Sequence, residues 1–371
     1  MNSWLDEALS ITIMSTANYG DIIEVTAPAD FHVHLRDGEL SRLVTPHVYK
    51  GGFYLAYVMP NLVPPITTTE MAIEYKKRLK DYSGSSKVEF LMTLYLSDAL
   101  HPNDVKNWKA AGIVGVKSYP RGVTTNSDEG IESYDKYDEL FKAMEVHGIV
   151  LNLHGEIPSD HSKNICVLNA EERFLPVLAN LANKYPKLRI VLEHATTAAA
   201  INAVKACGDN VACTITAHHL SLTVDDWAGQ SFHFCKPVAK FPDDRRALQE
   251  AIKSGNKKFF LGSDSAPHPS LSKSTATATS GCAAGVYTSP ILLPLVAHLL
   301  DSFGAIDRLA DFTSNFGRRF YQIPADSDAP KVFVEKVQGV SVQAKYSSEG
   351  KTVVPFWANR QIEWQIVNIK E

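Results

Sequence analysis

Cysteine is scarce in this chain and follows no pairing pattern. Its five cysteines, Cys166, Cys207, Cys213, Cys235 and Cys282, are odd in number and contain no CxxC spacing. That speaks against a disulfide framework and against a thiolate zinc site. Long apolar runs are also missing. The most apolar stretch, residues 291–300, contains Pro294 and His298 and falls far short of the roughly 20 residues a spanning helix needs. Residues 1–20 lack a basic region followed by an apolar run, so no secretory signal is expected. Basic residues are not clustered. Lys and Arg number 37 against 41 Asp and Glu, a formal net charge of −4, which argues against a nucleic-acid surface. No glycine-rich phosphate fingerprint follows the first apolar run, which weakens a nucleotide-binding reading. These absences leave a cytoplasmic protein with neither membrane nor nucleic acid as partner. Its 371 residues, 45% of them hydrophobic, suffice for one large core or two ordinary domains.

Short apolar runs alternate with amphipathic stretches. Strands are predicted over residues 23–34, 53–59, 88–96, 113–118, 149–154, 189–194, 211–217 and 259–263. Helices are predicted over 70–81, 134–146, 169–184, 198–206, 243–253 and 290–300. This repetition matches a (β/α)₈ TIM barrel, for which about 250 residues is typical. A doubly wound open sheet would give the same alternation. Beyond residue 331 the pattern turns to β-type runs at 332–337, 340–344, 352–356 and 362–367, with 346–350 reading as a turn. The expected division is an extension over 1–22, a barrel over 23–325 and a β-rich segment over 326–371 packed on it. Two polar connections, 120–130 and 269–281, would lie on the barrel's catalytic face.

Polar residues recur at the predicted strand ends. His32 and His34 are separated by one residue, so on a strand both rings point to one face and can reach one ion. Phe31, Val33 and Leu35 would then face the helices. The alternative is a pair of strand histidines hydrogen-bonded to neighbours. Lys117, His154, His194 and Asp264 end later strands, and a barrel gathers such residues into one site. Four histidines, a lysine and an aspartate can hold two divalent ions. Lys117 is the odd member, because an ammonium is no ligand. Burial and nearby positive charge lower a lysine pKa. The neutral amine can then add carbon dioxide, and the resulting carbamate can bridge two metals. The alternative is a lysine paired with Asp or Glu.

HxHLR at 32–36, MPN at 59–61, the strand lysine, two single histidines and GSDSAPH at 262–268 together resemble the dihydroorotases of the amidohydrolase superfamily. The likeness is greatest to the stand-alone homodimeric type of enteric bacteria and fungi. It implies reversible cyclisation of N-carbamoyl-L-aspartate to L-dihydroorotate in pyrimidine synthesis. It also implies two zinc ions bridged by carboxylated Lys117 and a hydroxide, with His32, His34 and Asp264 on one ion and His154 and His194 on the other. Asp264 would shuttle the proton. Arg36 and Asn61 match residues that hold the substrate carboxylate, and His268 a further substrate contact. Backbone groups of Lys236 and Ala284 would bind the ring amide. The bacterial form has leucine where this chain has Lys236. Thr124 and Thr125 match a lid loop. Counting two Zn²⁺ against carbamate, aspartate and hydroxide leaves a residual positive charge, which with Arg36 would attract an anion. A hydantoinase would have no use for the carboxylate clamp, and an inactive barrel would have lost a ligand. His218 and His219 follow the seventh strand, outside the ligand pattern. Tyr119 either lines the pocket or supports the lid base.

Overall fold

The computed structural model describes residues 17–274 and 281–370. The expected extension over 1–22 and the connection over 269–281 lie partly outside the described residues. Among the described residues, thirteen strands make three sheets. Eight are parallel and neighbour one another in chain order: β2 Ala29–Val33, β3 Leu55–Val58, β4 Glu89–Tyr95, β5 Ile113–Ser118, β6 Val150–His154, β7 Ile190–Glu193, β8 Val211–Ile215 and β9 Phe259–Leu261. A parallel bridge from Val33 to Ser265 closes the ring beyond the end of β9. Asp264 N donates to His32 O at 2.8 Å and His34 N to Ser265 O at 3.0 Å, so the seam is sewn by site residues. Helices such as Thr69–Ser83, Ala170–Lys184 and Pro242–Lys253 connect the strands.

Period-two alternation sorts the barrel residues into two cores. Leu55, Tyr57, Leu91, Val150, Val191, Ala212 and Phe260 form the inner cluster with Phe316 and Tyr321. Ala56, Val58, Phe90, Leu151, Leu192 and Leu261 belong to the larger cluster under the helices. The helix Phe316–Tyr321 plugs the barrel floor. Phe31 stacks on Tyr321 at 4.8 Å and meets Phe260 edge-on at 5.4 Å. A β-carbon on Gly317 would stand 2.2 Å from the Phe31 ring. Gly317→Ala should therefore cost about 1–3 kcal/mol through overpacking. The denaturant midpoint reads this, and an unchanged midpoint would contradict it.

Several expectations need correction. The run 23–34 is two strands. Ala27 adopts φ 47° and turns the chain between β1 Ile22–Thr26 and β2. β1 leaves the barrel and pairs antiparallel with β10 Lys331–Ser341, which pairs in turn with β13 Gln361–Lys370. Phe31 faces the inner core rather than the helices, because the β2–β3 register shifts between Asp30 and Val33. Runs 332–337 and 340–344 are largely one strand, β10, with an irregularity between Lys336 and Val340. The expected turn 346–350 is half strand, since β11 Tyr346–Ser348 pairs with β12 Lys351–Val353. The outer sheet is pinned to the helix Leu292–Ser302: Trp364 Nε1 donates to Asp301 at 3.2 Å, and the buried Lys336 ammonium lies 2.7 Å from the same carboxylate.

Candidate active site

The barrel's strand ends converge on a cavity of about 340 Å³ lined by His32, His34, His154, His194 and Asp264 on one side. Arg36, Asn61, Tyr119, Thr124, Thr125, Lys236, Ala266, Ala284 and Gly285 complete its wall. Ring centroids step from His34 to His32 at 5.3 Å, to His194 at 5.1 Å and to His154 at 4.8 Å. His34 Nε2 stands 2.9 Å and His32 Nε2 3.4 Å from Asp264 Oδ1. Arg36, His194 and Asp264 hold φ of 58°, 43° and 44°. Non-glycine residues rarely accept this conformation, and such strain concentrates at functional sites.

Two of the four imidazoles are fixed by a carboxylate behind them. His32 Nδ1 lies 2.7 Å from Glu193, and His154 Nε2 lies 2.7 Å from Glu156. Glu193 also accepts from Asn152 Nδ2 and Thr214 Oγ1, each at 2.6 Å. Carboxylates behind histidines set tautomer and ring orientation for a metal ligand. Sequence reasoning missed Glu193 and Glu156. The available signal was a charged residue next to His194 and another two after His154, both where burial was expected.

Burial governs ionisation here. It pushes His34 down to about 4, with Arg36 adding to the effect. His154 is lowered, and His194 lies well below the usual value, through burial first and the Lys117 charge next. All three are neutral and ligand-competent near pH 7. Burial works to raise the Asp264 carboxyl, but the His34 hydrogen bond and the two histidine charges outweigh it and hold it well below the usual range. Lys117 is fully buried, and burial brings its ammonium down to about 8. It does not line the cavity wall, and its amine stands 5.2 Å from the Tyr119 ring centre.

The donor set fits a metal centre. Among the described residues, His32 Nε2, His194 Nδ1 and Lys117 Nζ are buried without a hydrogen-bond partner. Buried polar atoms are normally paired, so three orphans in one cluster mark ligand positions. Ligand atoms of His32, His34 and Asp264 lie within 4.8 Å of one another. Neutral imidazole with carboxylate suits zinc. The paired-lysine alternative finds no ion pair at Lys117 among the described residues.

The opposite wall carries the Arg36 guanidinium. Arg36 Nε donates to Pro267 O at 2.9 Å. His268 stands behind it rather than in the cavity wall, with Nε2 3.1 Å from Arg36 Nη2 and 2.9 Å from Ala284 O. Burial, then the Arg36 charge, keeps that ring neutral, down to about 2. The loop after β5 folds over the cavity. Asn61 Nδ2 donates to Thr125 O at 3.0 Å, Asn126 Nδ2 to Asn61 O at 2.8 Å, and Thr125 Oγ1 to Ala284 O at 3.3 Å. Among the described residues, the amides of Ala283 and Gly285 bond to Ser272 and Phe234 carbonyls, while none of the hydrogen bonds uses that of Ala284. Tyr119 lines the cavity and stacks on Tyr95 at 5.1 Å.

A model of the amidohydrolase family matches residues 27–301. The chain belongs to this family. Within it, a dihydroorotase of Mycosarcoma maydis is 51% identical over 389 residues, spanning 93% of this chain and 98% of that protein. The crystal structure of Saccharomyces cerevisiae dihydroorotase in complex with 5-fluoroorotic acid superposes with a TM-score of 0.88 at 42% identity, covering 93% of this chain and 98% of that one. An L-hydantoinase of Arthrobacter aurescens shares the fold alone, with a TM-score of 0.77 at 18% identity over 93% of this chain and 83% of that one. For this amidohydrolase, the match covers every strand of the barrel and ends short of the outer sheet's last two strands, β10 and β13.

Proposed function

We propose that this chain is a dihydroorotase, closing N-carbamoyl-L-aspartate to L-dihydroorotate and water in pyrimidine synthesis, and opening the ring in reverse. One observation carries the reading: four histidines and Asp264 share one small cavity with Arg36, Asn61, Thr124 and Thr125. Relatives named dihydroorotase at 51% and 42% identity support it, as does the 5-fluoroorotic acid held by the Saccharomyces cerevisiae enzyme. A neutral hydantoin would give the half-buried Arg36 guanidinium no counter-ion, which argues against that alternative.

In this reading His32, His34 and Asp264 hold one zinc ion and His154 and His194 the other. The Lys117 amine would add carbon dioxide and lose a proton, and the resulting carbamate would supply a further anionic ligand. When bound, the ions supply a water of lowered pKa and polarise the ring carbonyl. Arg36 and Asn61 fix the substrate carboxylate, and the Ala284 amide and a Lys236 backbone group orient the ring amide. In ring opening, Asp264 takes the proton of the attacking water and returns it to the ring nitrogen as the C–N bond breaks. Closure runs the same transfers backwards. Among the described residues no helix is long and apolar enough to cross a membrane. A cytoplasmic homodimer is part of the same proposal, and sedimentation reads the oligomer.

Arg36→Met should raise KM for both ring and open-chain substrates. Loss of a charge-assisted contact is worth roughly 1.5–3 kcal/mol, or about 10–150-fold. Metal content should stay constant. An unaltered KM would place the carboxylate elsewhere. Thr124→Ala/Thr125→Ala removes the Thr125 hydroxyl that latches the loop to Ala284. As a lid it should lower kcat by about tenfold while sparing metal content. An unchanged kcat, with equal protease sensitivity of the loop with and without substrate, would eliminate the lid.

A further inference from the structure

A second cluster of ligand-type side chains lies beside the cavity but contributes nothing to its wall. His218 and His219 follow β8, and Cys235 comes from the segment after Ser231–His233. All three are buried. Among the described residues His218 has no partner for either ring nitrogen, and His219 has none for Nδ1. Fully buried imidazole nitrogens are seldom left so. His219 Nε2 is anchored 3.0 Å from the Pro237 carbonyl, and the Cys235 sulfur stands 3.5 Å from the same nitrogen. One ligand atom from each residue lies within 4.8 Å of the other two.

We propose that His218, His219 and Cys235 form a separate binding site for one thiophilic divalent cation of the zinc class. A thiol with two imidazoles selects such ions over magnesium or calcium. Ligands at about 2.0 Å for nitrogen and 2.3 Å for sulfur stand about 3.5 Å apart around a tetrahedral ion. Nε2 of His219 donates to the Pro237 carbonyl, which leaves its unpartnered Nδ1 to ligate, and the cluster's ligand atoms, within 4.8 Å of one another, need only a small closure. Three protein ligands leave the fourth position to water. Burial lowers His218 to about 4 and puts His219 well below the usual range, so both rings are neutral and ready to ligate. Burial raises the Cys235 thiol to about 12, so the ion must displace its proton, which leaves to solvent as the metal–sulfur bond forms. Asp264 acts electrostatically on all three residues and favours a cation among them, while Lys240 and Lys273 oppose it. No CxxC announces the site, because the fold and not the spacing brings Cys235 to His219. Cys235 precedes Lys236 in the cavity wall, so an ion here would pin that wall.

The test is one equivalent of Co²⁺ added to the holoenzyme as isolated, followed by near-ultraviolet absorption. None of the residues assigned to the cavity's metal pair is a thiol, so a thiolate-to-cobalt charge-transfer band reports this cluster whether or not the dihydroorotase reading holds. The expected result is a band of one thiolate per chain, lost in Cys235→Ala and retained in Cys282→Ala. His218→Ala should weaken cobalt binding by about tenfold or more. No band in the unsubstituted protein would overturn the proposal, and this needs no variant to fold. A band surviving in Cys235→Ala, or cobalt affinity unchanged in His218→Ala, would also overturn it.

Discussion

Lys117→Ala should abolish turnover and release bound metal, with activity falling about 10³-fold or more. The side chain is a fully buried amine with no hydrogen-bond partner, among four histidines and Asp264. A lysine so placed for packing alone would be costly, because burying an unpaired charge is strongly unfavourable. With its pKa brought down to about 8 from 10.5, about a tenth of the side chain is neutral at pH 7, roughly 300-fold more than for a solvated lysine. In the proposed reading, that neutral fraction is what would react with carbon dioxide. Because the folded pKa is lowered, the uncharged form gains as pH rises through about 8, so carboxylation should be more complete on the alkaline side. Short carboxylic acids should restore part of the lost activity by replacing the carbamate. Metal analysis with a turnover assay checks this, and a variant with full metal content and normal rate would refute the role.

Asp264→Asn should keep the fold and lose kcat by roughly 10²–10⁴-fold, the range for a positioned general acid–base. Asparagine preserves shape but cannot accept the proton. The Asp264 carboxyl is ionised at neutral pH before substrate binds, held low by His34 and His32 against the opposing effect of burial. It therefore begins ring opening as a base. Closure begins with Asp264 protonated and takes up a proton overall. Opening should thus be favoured by base and closure by acid, and Asp264→Asn should flatten both limbs. Initial rates in each direction across pH test this. Parallel profiles, or near-normal kcat in the variant, would rule out the shuttle.

The barrel and the gathering of polar residues at its strand ends were readable because both rest on local patterns. Strand–helix alternation is a matter of periodicity, and His32, His34, His154, His194 and Asp264 stand where apolar runs stop. The misreadings have equally specific causes. Residues 22–26 look like any β-run, and only pairing with β10, some three hundred residues away, removes them from the barrel. Phe31 changed faces through a register shift that no alternation rule encodes. Glu193 holds His32 across 161 residues of chain, so its role exists only in the folded state. His268, which its motif matches to a substrate contact, also stands 3.1 Å from Arg36 Nη2, a contact that only the fold creates. The bonds of the Ala283 and Gly285 amides to the Ser272 and Phe234 carbonyls likewise exist only in the folded state.

The central claim is that one cavity holds a metal pair on one wall and a ring carboxylate on the other. Purified protein mixed with L-dihydroorotate, with ring absorbance followed as bound metal is counted, tests it most directly. The account predicts rapid loss of the ring signal, formation of N-carbamoyl-L-aspartate, and two metal ions at the cavity per chain. A protein with both ions bound and no turnover of dihydroorotate would contradict it.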